Sequence, residues 1–160
     1  MKTLLFSIAL TAITLSSCKK SSADATVTAN LSVTIDGTSR TFNTSLTGAL
    51  NAPGGGSQAL QIVGWSGAAG SSDALYVSVS SATAITAKTY SDGAGASIQY
   101  IVGGTTSYAN GLSPTNPISI TITSITTNSA TGTFKGDIFL NANSSSTKKV
   151  LTNGSFNVTF

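Results

Sequence analysis

The sequence predicts an all-β fold, an antiparallel β-sandwich of about eight or nine short strands, with a small closed β-barrel as the alternative. Three observations carry this reading. Apolar residues alternate with Ser, Thr and Asn, as in Leu31-Ser32-Val33-Thr34-Ile35 and Ile118-Ser119-Ile120-Thr121-Ile122. That is the period of a strand with one buried and one wet face. β-Branched residues fill these runs while Gly, Asn, Asp and Ser separate them, and no helical period competes.

The elements follow in order. Lys2 precedes an apolar run from Leu4 to Leu15 that only Ser7, Thr11 and Thr14 interrupt. As a helix this run is about 18 Å long, too short for a hydrocarbon core of about 30 Å. Residues 1–17 therefore read as a secretion signal rather than a membrane span. Residues 18–29 are small and polar and read as a tether. Residues 30–160 form a single all-β domain, a size that can bury a core without disulfides or metal.

Within that domain Leu31, Val33 and Ile35 make a strand, and Asp36-Gly37 a turn whose residues tolerate positive φ. The return strand alternates through Phe42, Thr44, Leu46, Gly48 and Leu50, and Asn51–Gln58, rich in glycine, reads as a flexible loop. Leu60–Trp65 and Leu75–Val79 form a second pair around Ser66–Asp73. Ile85–Tyr90 is a short strand closed by Asp92-Gly93-Ala94-Gly95, and Ile98–Val102 leads into a long loop, Gly103–Pro117. Ile118–Ile122, a turn at Asn128–Gly132, Phe134–Leu140, a turn holding Lys148 and Lys149, and a last strand through Phe156, Val158 and Phe160 complete the domain. The alternation buries Leu31, Val33, Ile35, Leu46, Leu60, Ile62, Leu75, Val77, Val79, Ile120, Ile122, Phe134, Ile138, Phe156 and Val158.

Composition narrows the function. Only 8% of residues are charged, and glutamate and histidine are absent. Without histidine there is no Ser-His or Cys-His nucleophile pair and no imidazole metal ligand. A Ser-Lys pair using Lys88 or Lys135 is disfavoured because both read as outward positions. The aspartates neighbour small residues and read as turn formers, with Asp137 a cross-strand partner for a lysine. Asp92 lacks the carboxylate spacing of a calcium loop. The expectation is thus no catalytic residue, no metal site and no cofactor. The few basic residues make no stripe for a phosphate backbone, which excludes nucleic acid as a partner.

Ser16-Ser17-Cys18, with the only cysteine of the chain behind the leader, resembles the lipobox of bacterial lipoproteins. That resemblance implies a diacylglyceryl group on the Cys18 thiol, cleavage before Cys18 and acylation of the freed amine, so that acyl chains are the membrane partner. Two or more chains anchor stably where one binds marginally. Thr131-Gly132-Thr133-Phe134-Lys135-Gly136-Asp137, with Leu151-Thr152-Asn153-Gly154-Ser155-Phe156-Asn157-Val158, resembles the closing hairpin of small uncharacterised outer-membrane lipoproteins of Bacteroidota. Val33-Thr34-Ile35-Asp36-Gly37 and Phe42 resemble their opening strand and turn, and Ile85–Tyr90 their short middle strand. The resemblance implies an all-β lipoprotein and brings no activity or site residues. Surface export in that group goes with acidic residues after the cysteine. Lys19 and Lys20 stand there instead, which points to the periplasmic face of the outer membrane.

The leading functional expectation is a non-catalytic envelope lipoprotein that binds a partner protein or has a structural role. The alternative is a carbohydrate-binding module. Trp65 and Tyr76 fall on the face opposite their apolar neighbours, where they would stack on a sugar ring beside Gln61 or Ser78, with Tyr108 reaching in from the long loop. An apolar ligand inside a small barrel is a further alternative. The terminal Phe160 resembles the assembly signal of outer-membrane barrels, but aromatic girdles and long lipid-facing strands are missing. Metabolic labelling with an alkynyl fatty acid is expected to tag the protein, and Cys18→Ala to abolish the label; label surviving that change contradicts the anchor.

Overall fold

The computed structural model describes residues 28–54, 56–111, 113 and 115–160. The leader, Cys18, Lys19, Lys20 and most of the tether lie outside the described residues. Eleven strands follow one another: β1 (Asn30–Ile35), β2 (Thr38–Thr41), β3 (Thr44–Gly54), β4 (Ser57–Trp65), β5 (Ala74–Ser81), β6 (Thr89–Ser91), β7 (Ala96–Val102), β8 (Thr106–Ala109), β9 (Ser119–Ile125), β10 (Ser129–Leu140) and β11 (Lys148–Thr159). All pair antiparallel in one curled sheet of order β2-β1-β11-β10-β8-β7-β5-β4-β3. β10 is the fork: its first half pairs with β9, which carries β6, and Phe139–Leu140 pair with β8. The fold is all-β and antiparallel, as the alternation predicts, but it is one sheet rolled around a core.

Curling brings the ends of the sheet round to each other. β2 and β3 are the two ends of the strand order and are consecutive in the chain, joined at Phe42-Asn43. At this corner the Phe42 N–H donates to the Leu31 carbonyl (2.8 Å), and Asn43 Oδ1 accepts from the Leu31 N–H (2.8 Å). Gly64 of β4 lies against the Phe42 backbone and the Leu31 side chain so closely that no Cβ would fit. At the far end Gly48 of β3 packs on Val158 and Phe160.

The β10–β11 hairpin is the longest pairing of the sheet. Gly132 is opposite Phe156 and Phe134 opposite Gly154, so two Gly–Phe pairs run in opposite senses across one hairpin. A Cβ built on Gly132 would meet Phe156 Cζ at 2.5 Å, and one on Gly154 would meet Phe134 Cδ2 at 2.5 Å. Each ring covers the backbone where its partner has no side chain, and both rings are buried. Directly opposite residues are the unit of sheet stabilisation, and here each pair is one large ring on bare backbone.

A bulge sits beside these pairs. From Phe134/Gly154 the β10 register advances two residues to Gly136 while β11 steps three to Leu151, and β1 sees the same slip between Ser32 and Thr34. Asn153 takes φ 51°, a left-handed conformation that asparagine tolerates. The extra residue lets Leu151 and Gly154 both face the core, with Thr152 and Asn153 outside.

Several boundaries differ from expectation for local reasons. β3 runs to Gly54 and β4 starts at Ser57, with Gly54 opposite Ser57, so most of Asn51–Gln58 is paired strand rather than a flexible loop. The return strand breaks at the Phe42 corner, and Ser45 at φ 48° marks a bulge that leaves Leu46 only half-buried. Of Ile85–Tyr90 only Thr89 onward is strand, although Ile85 is buried. Gly103–Pro117 contains β8, and Lys148 and Lys149 open β11 instead of lying in a turn. The other residues expected in the core are buried, joined by Phe42, Tyr90, Ile98, Tyr100, Ile118 and Leu151. Asp137 is buried too: its Oδ2 accepts from Lys148 Nζ (2.8 Å) and its Oδ1 from Asn116 Nδ2 (2.6 Å), which ties residues 115–117 to β10.

Truncating Phe134 or Phe156 to alanine is expected to cost about 3–5 kcal/mol in denaturant unfolding, because each leaves a void over a glycine that cannot fill it. A loss under about 1 kcal/mol contradicts the pairing described here.

Candidate binding sites

Two places draw together side chains able to recognise a ligand. The first is on the outer face of β4, β5 and β7. Leu60 and Ile62 face inward, so Gln61, Val63 and Trp65 face out. On β5 Tyr76 and Ser78 oppose Val63 and Gln61, and on β7 Gln99 and Ser97 continue the rows. All of these outward residues except Trp65 line a groove of about 290 Å³. Among the described residues the side chains of Gln61, Tyr76 and Ser78 make no hydrogen bond to the protein. Gln99 Nε2 donates to Ser107 Oγ (2.9 Å), and Ser97 Oγ donates to Asn110 Oδ1 (3.1 Å). Trp65 opposes Ala74, one diagonal step from Tyr76 on the same face, and is half-buried. The sequence reading of these two aromatics as neighbours thus matches their register.

Tyr108 does not join them. It stands on β8 opposite Tyr100, and Tyr100 is opposite the buried Leu75, so both tyrosines face the inside of the sheet. Their rings stack at 6.4 Å between centroids, and Phe42 meets Tyr100 edge-on at 6.0 Å. The long-loop reading failed because β8 is only four residues long and rich in Ser and Thr.

Tyr108 instead belongs to a second site, a cleft of about 430 Å³ where β1 ends, β11 begins and the β7–β8 hairpin turns. Four of the few charged side chains gather there in two ion pairs. Arg40, the sole arginine of the chain, opposes the buried Val33 and so lies on the inner face of edge strand β2. Its Nη1 donates to Asp73 Oδ2 (2.7 Å) just before β5, a clasp from the β2 edge across the curled sheet. The Tyr100 hydroxyl donates to the same Oδ2 (2.6 Å), and the Gly103 N–H to Oδ1 (2.8 Å). Partial burial first, and then this bond to Asp73, push the Tyr100 phenol far above its ordinary pKa. Across the cleft Lys149 Nζ donates to Asp36 Oδ2 (2.8 Å), the Val150 N–H donates to Asp36 Oδ1 (2.9 Å), and Lys149 lies 5.7 Å from the Tyr108 ring centroid.

Sequence reasoning passed over Arg40 and Tyr100. The signals were a lone arginine placed by the Asp36-Gly37 turn opposite Val33, and a tyrosine in phase with Ile98.

Elsewhere, Asn110 Nδ2 donates to Asp92 Oδ1 (2.9 Å), while Asp92 Oδ2 is buried with no hydrogen-bond partner among the described residues. No three of Asp, Glu, His or Cys come together among the described residues in a way that would hold a metal ion. Lys88 lies over the Tyr90 ring at 4.9 Å, and Lys135 is exposed on β10. No protein-family model matches the chain, and no curated protein or solved structure matches it either.

The Asp36–Lys149 pair gives stability a pH dependence of definite sign. Desolvation raises the Asp36 pKa, but the hydrogen bonds from Lys149 and Val150 and the lysine charge outweigh it and bring the carboxyl below its ordinary value. The hydrogen bond to Asp36 raises the Lys149 ammonium. A depressed carboxyl contributes stability above its unfolded pKa and loses it as the pH falls through the folded value. Thermal melts of Asp36→Asn are therefore expected to lose less stability than wild type between about pH 5 and pH 3. Parallel acid limbs for the two proteins contradict the pairing.

Proposed function

We propose that this chain is a non-catalytic lipoprotein, held by acyl chains on Cys18 at the periplasmic face of the outer membrane, whose domain binds carbohydrate on the outer face of β4, β5 and β7. The observation that carries the binding reading is the groove around Tyr76, in which Gln61, Tyr76 and Ser78 turn unpaired polar groups outward from a rigid three-stranded surface. A sugar needs an aromatic edge or face together with donors and acceptors at fixed spacing, and rigid strands hold such groups without the entropy cost of ordering a loop. Trp65 and Val63 extend the apolar part of the same face. The non-catalytic reading rests on the inventory: no histidine, no glutamate, and, among the described residues, aspartates that each accept a hydrogen bond from lysine, arginine, asparagine or backbone donors. The apolar-ligand alternative draws less support, because Phe42, Tyr90, Ile98, Ile138 and both hairpin rings occupy the interior.

Trp65 is the only tryptophan of the chain, which makes its fluorescence a direct report on this face. Soluble oligosaccharides are expected to shift or quench its emission, and Tyr76→Ala or Gln61→Ala to remove the response while leaving the thermal melt unchanged. Emission unmoved across neutral and acidic oligosaccharides leaves the face without a carbohydrate role.

A further inference from the structure

The cleft at the clasp end has an uneven hydrogen-bond inventory. Its acids are each held by more than one donor. Asp73 accepts from Arg40, the Tyr100 hydroxyl and the Gly103 N–H, and Asp36 accepts from Lys149 and the Val150 N–H. Its cations have donors to spare. A guanidinium carries five N–H donors and an ammonium three. Arg40 uses only Nη1 on the protein and Lys149 makes a single bond, both counted among the described residues. The Tyr108 hydroxyl likewise has no hydrogen-bond partner among them. Formal charge at the cleft is balanced, and Arg40, Lys149 and Tyr108 keep N–H and O–H donors that the protein does not use.

The rest of the lining is mixed, with the Thr38 and Thr106 hydroxyls beside an apolar stretch. Ile35, Val102 and the flank of Tyr108 make up that apolar stretch, next to the Arg40 and Lys149 donors. The volume of about 430 Å³ is within the range of small-molecule sites, roughly 300–1,000 Å³. An arginine fork with free N–H groups matches the two oxygens of a carboxylate, and a lysine beside it adds a point charge. A bare inorganic ion would leave the apolar stretch unused. We infer that this cleft binds a small carboxylate carried on a compact ring, its oxygens on Arg40 and Lys149 and its ring against Val102, Ile35 and Tyr108. The site is separate from the groove around Tyr76, on the other face of the sheet, so the two stand or fall independently.

Calorimetric titration of the full-length protein with benzoate tests this, with amide chemical shifts to locate the site. Benzoate is expected to bind and to move the Asp36, Gly103 and Val150 amides. Benzyl alcohol, which keeps the ring without the charge, and acetate, which keeps the charge without the ring, are each expected to bind about tenfold more weakly, a difference of about 1.4 kcal/mol. Arg40→Gln and Lys149→Gln are expected to weaken benzoate binding by a similar factor. Because Arg40→Gln also opens the clasp, Asp36→Asn supplies a change of opposite sign. It removes a negative charge and frees Lys149, so benzoate should bind several-fold more tightly, which a damaged fold cannot imitate. Equal binding of benzyl alcohol overturns carboxylate recognition, and equal binding of acetate overturns the ring. Weaker binding by Asp36→Asn, or no response to benzoate, overturns the site.

Discussion

Two phenylalanines laid over two glycines hold the centre of this fold. Gly132/Phe156 and Phe134/Gly154 are directly opposite in β10 and β11, and the bare backbone under each ring lets it lie close to the sheet. Neither member works alone. A side chain at either glycine would push its ring away, and a smaller residue at either phenylalanine would leave the glycine backbone uncovered. The arrangement also explains why the bulge is where it is. Asn153 adds its extra residue immediately before Gly154, which bends β11 and resets its alternation between Leu151 and the ring-bearing half. Because β1 and β10 flank β11, both share that register slip.

The clasp end depends on the curl of the sheet. Arg40 lies on edge strand β2 and Asp73 immediately before β5, far apart in sequence and in the strand order, yet their side chains meet at 2.7 Å. An inward-pointing charge on an exposed edge strand also guards that edge against pairing with another chain. The same geometry turns a sparse set of charges into a concentrated one, because the polar residues elsewhere on the surface are mostly Ser and Thr. A chain with 8% charged residues thus keeps two ion pairs, two stacked tyrosines and a cleft together at one end.

Much of the fold was legible in the sequence because strand alternation is a local signal. It assigned the faces of Leu60, Ile62, Leu75 and Val77, and with them the outward placement of Trp65 and Tyr76. What stayed hidden depends on register and on contacts between distant strands. Gly103-Gly104 signals a tight turn, but β8 is too short and polar to announce itself, so Tyr108 was read on a loop. The odd spacing from Leu151 to Phe156 is the only trace of the Asn153 bulge. The clasp could not be read at all, since nothing local to Arg40 points to Asp73. The burial of Asp137 is similar: its lysine partner was expected, while the cover from Asn116 comes from the Gly103–Pro117 segment read as an open loop.

The mutual dependence of ring and glycine is measured most directly by a double-mutant cycle on the unfolding free energies of wild type, Gly132→Ala, Phe156→Ala and the double variant. If the glycine is there to admit the ring, part of the cost of Gly132→Ala vanishes once Phe156 is gone. The two changes should then couple by about 0.5–3 kcal/mol, with the double variant more stable than the sum predicts. Costs that add within about 0.3–0.5 kcal/mol would show that ring and glycine act separately, and would contradict their mutual dependence at the centre of the fold.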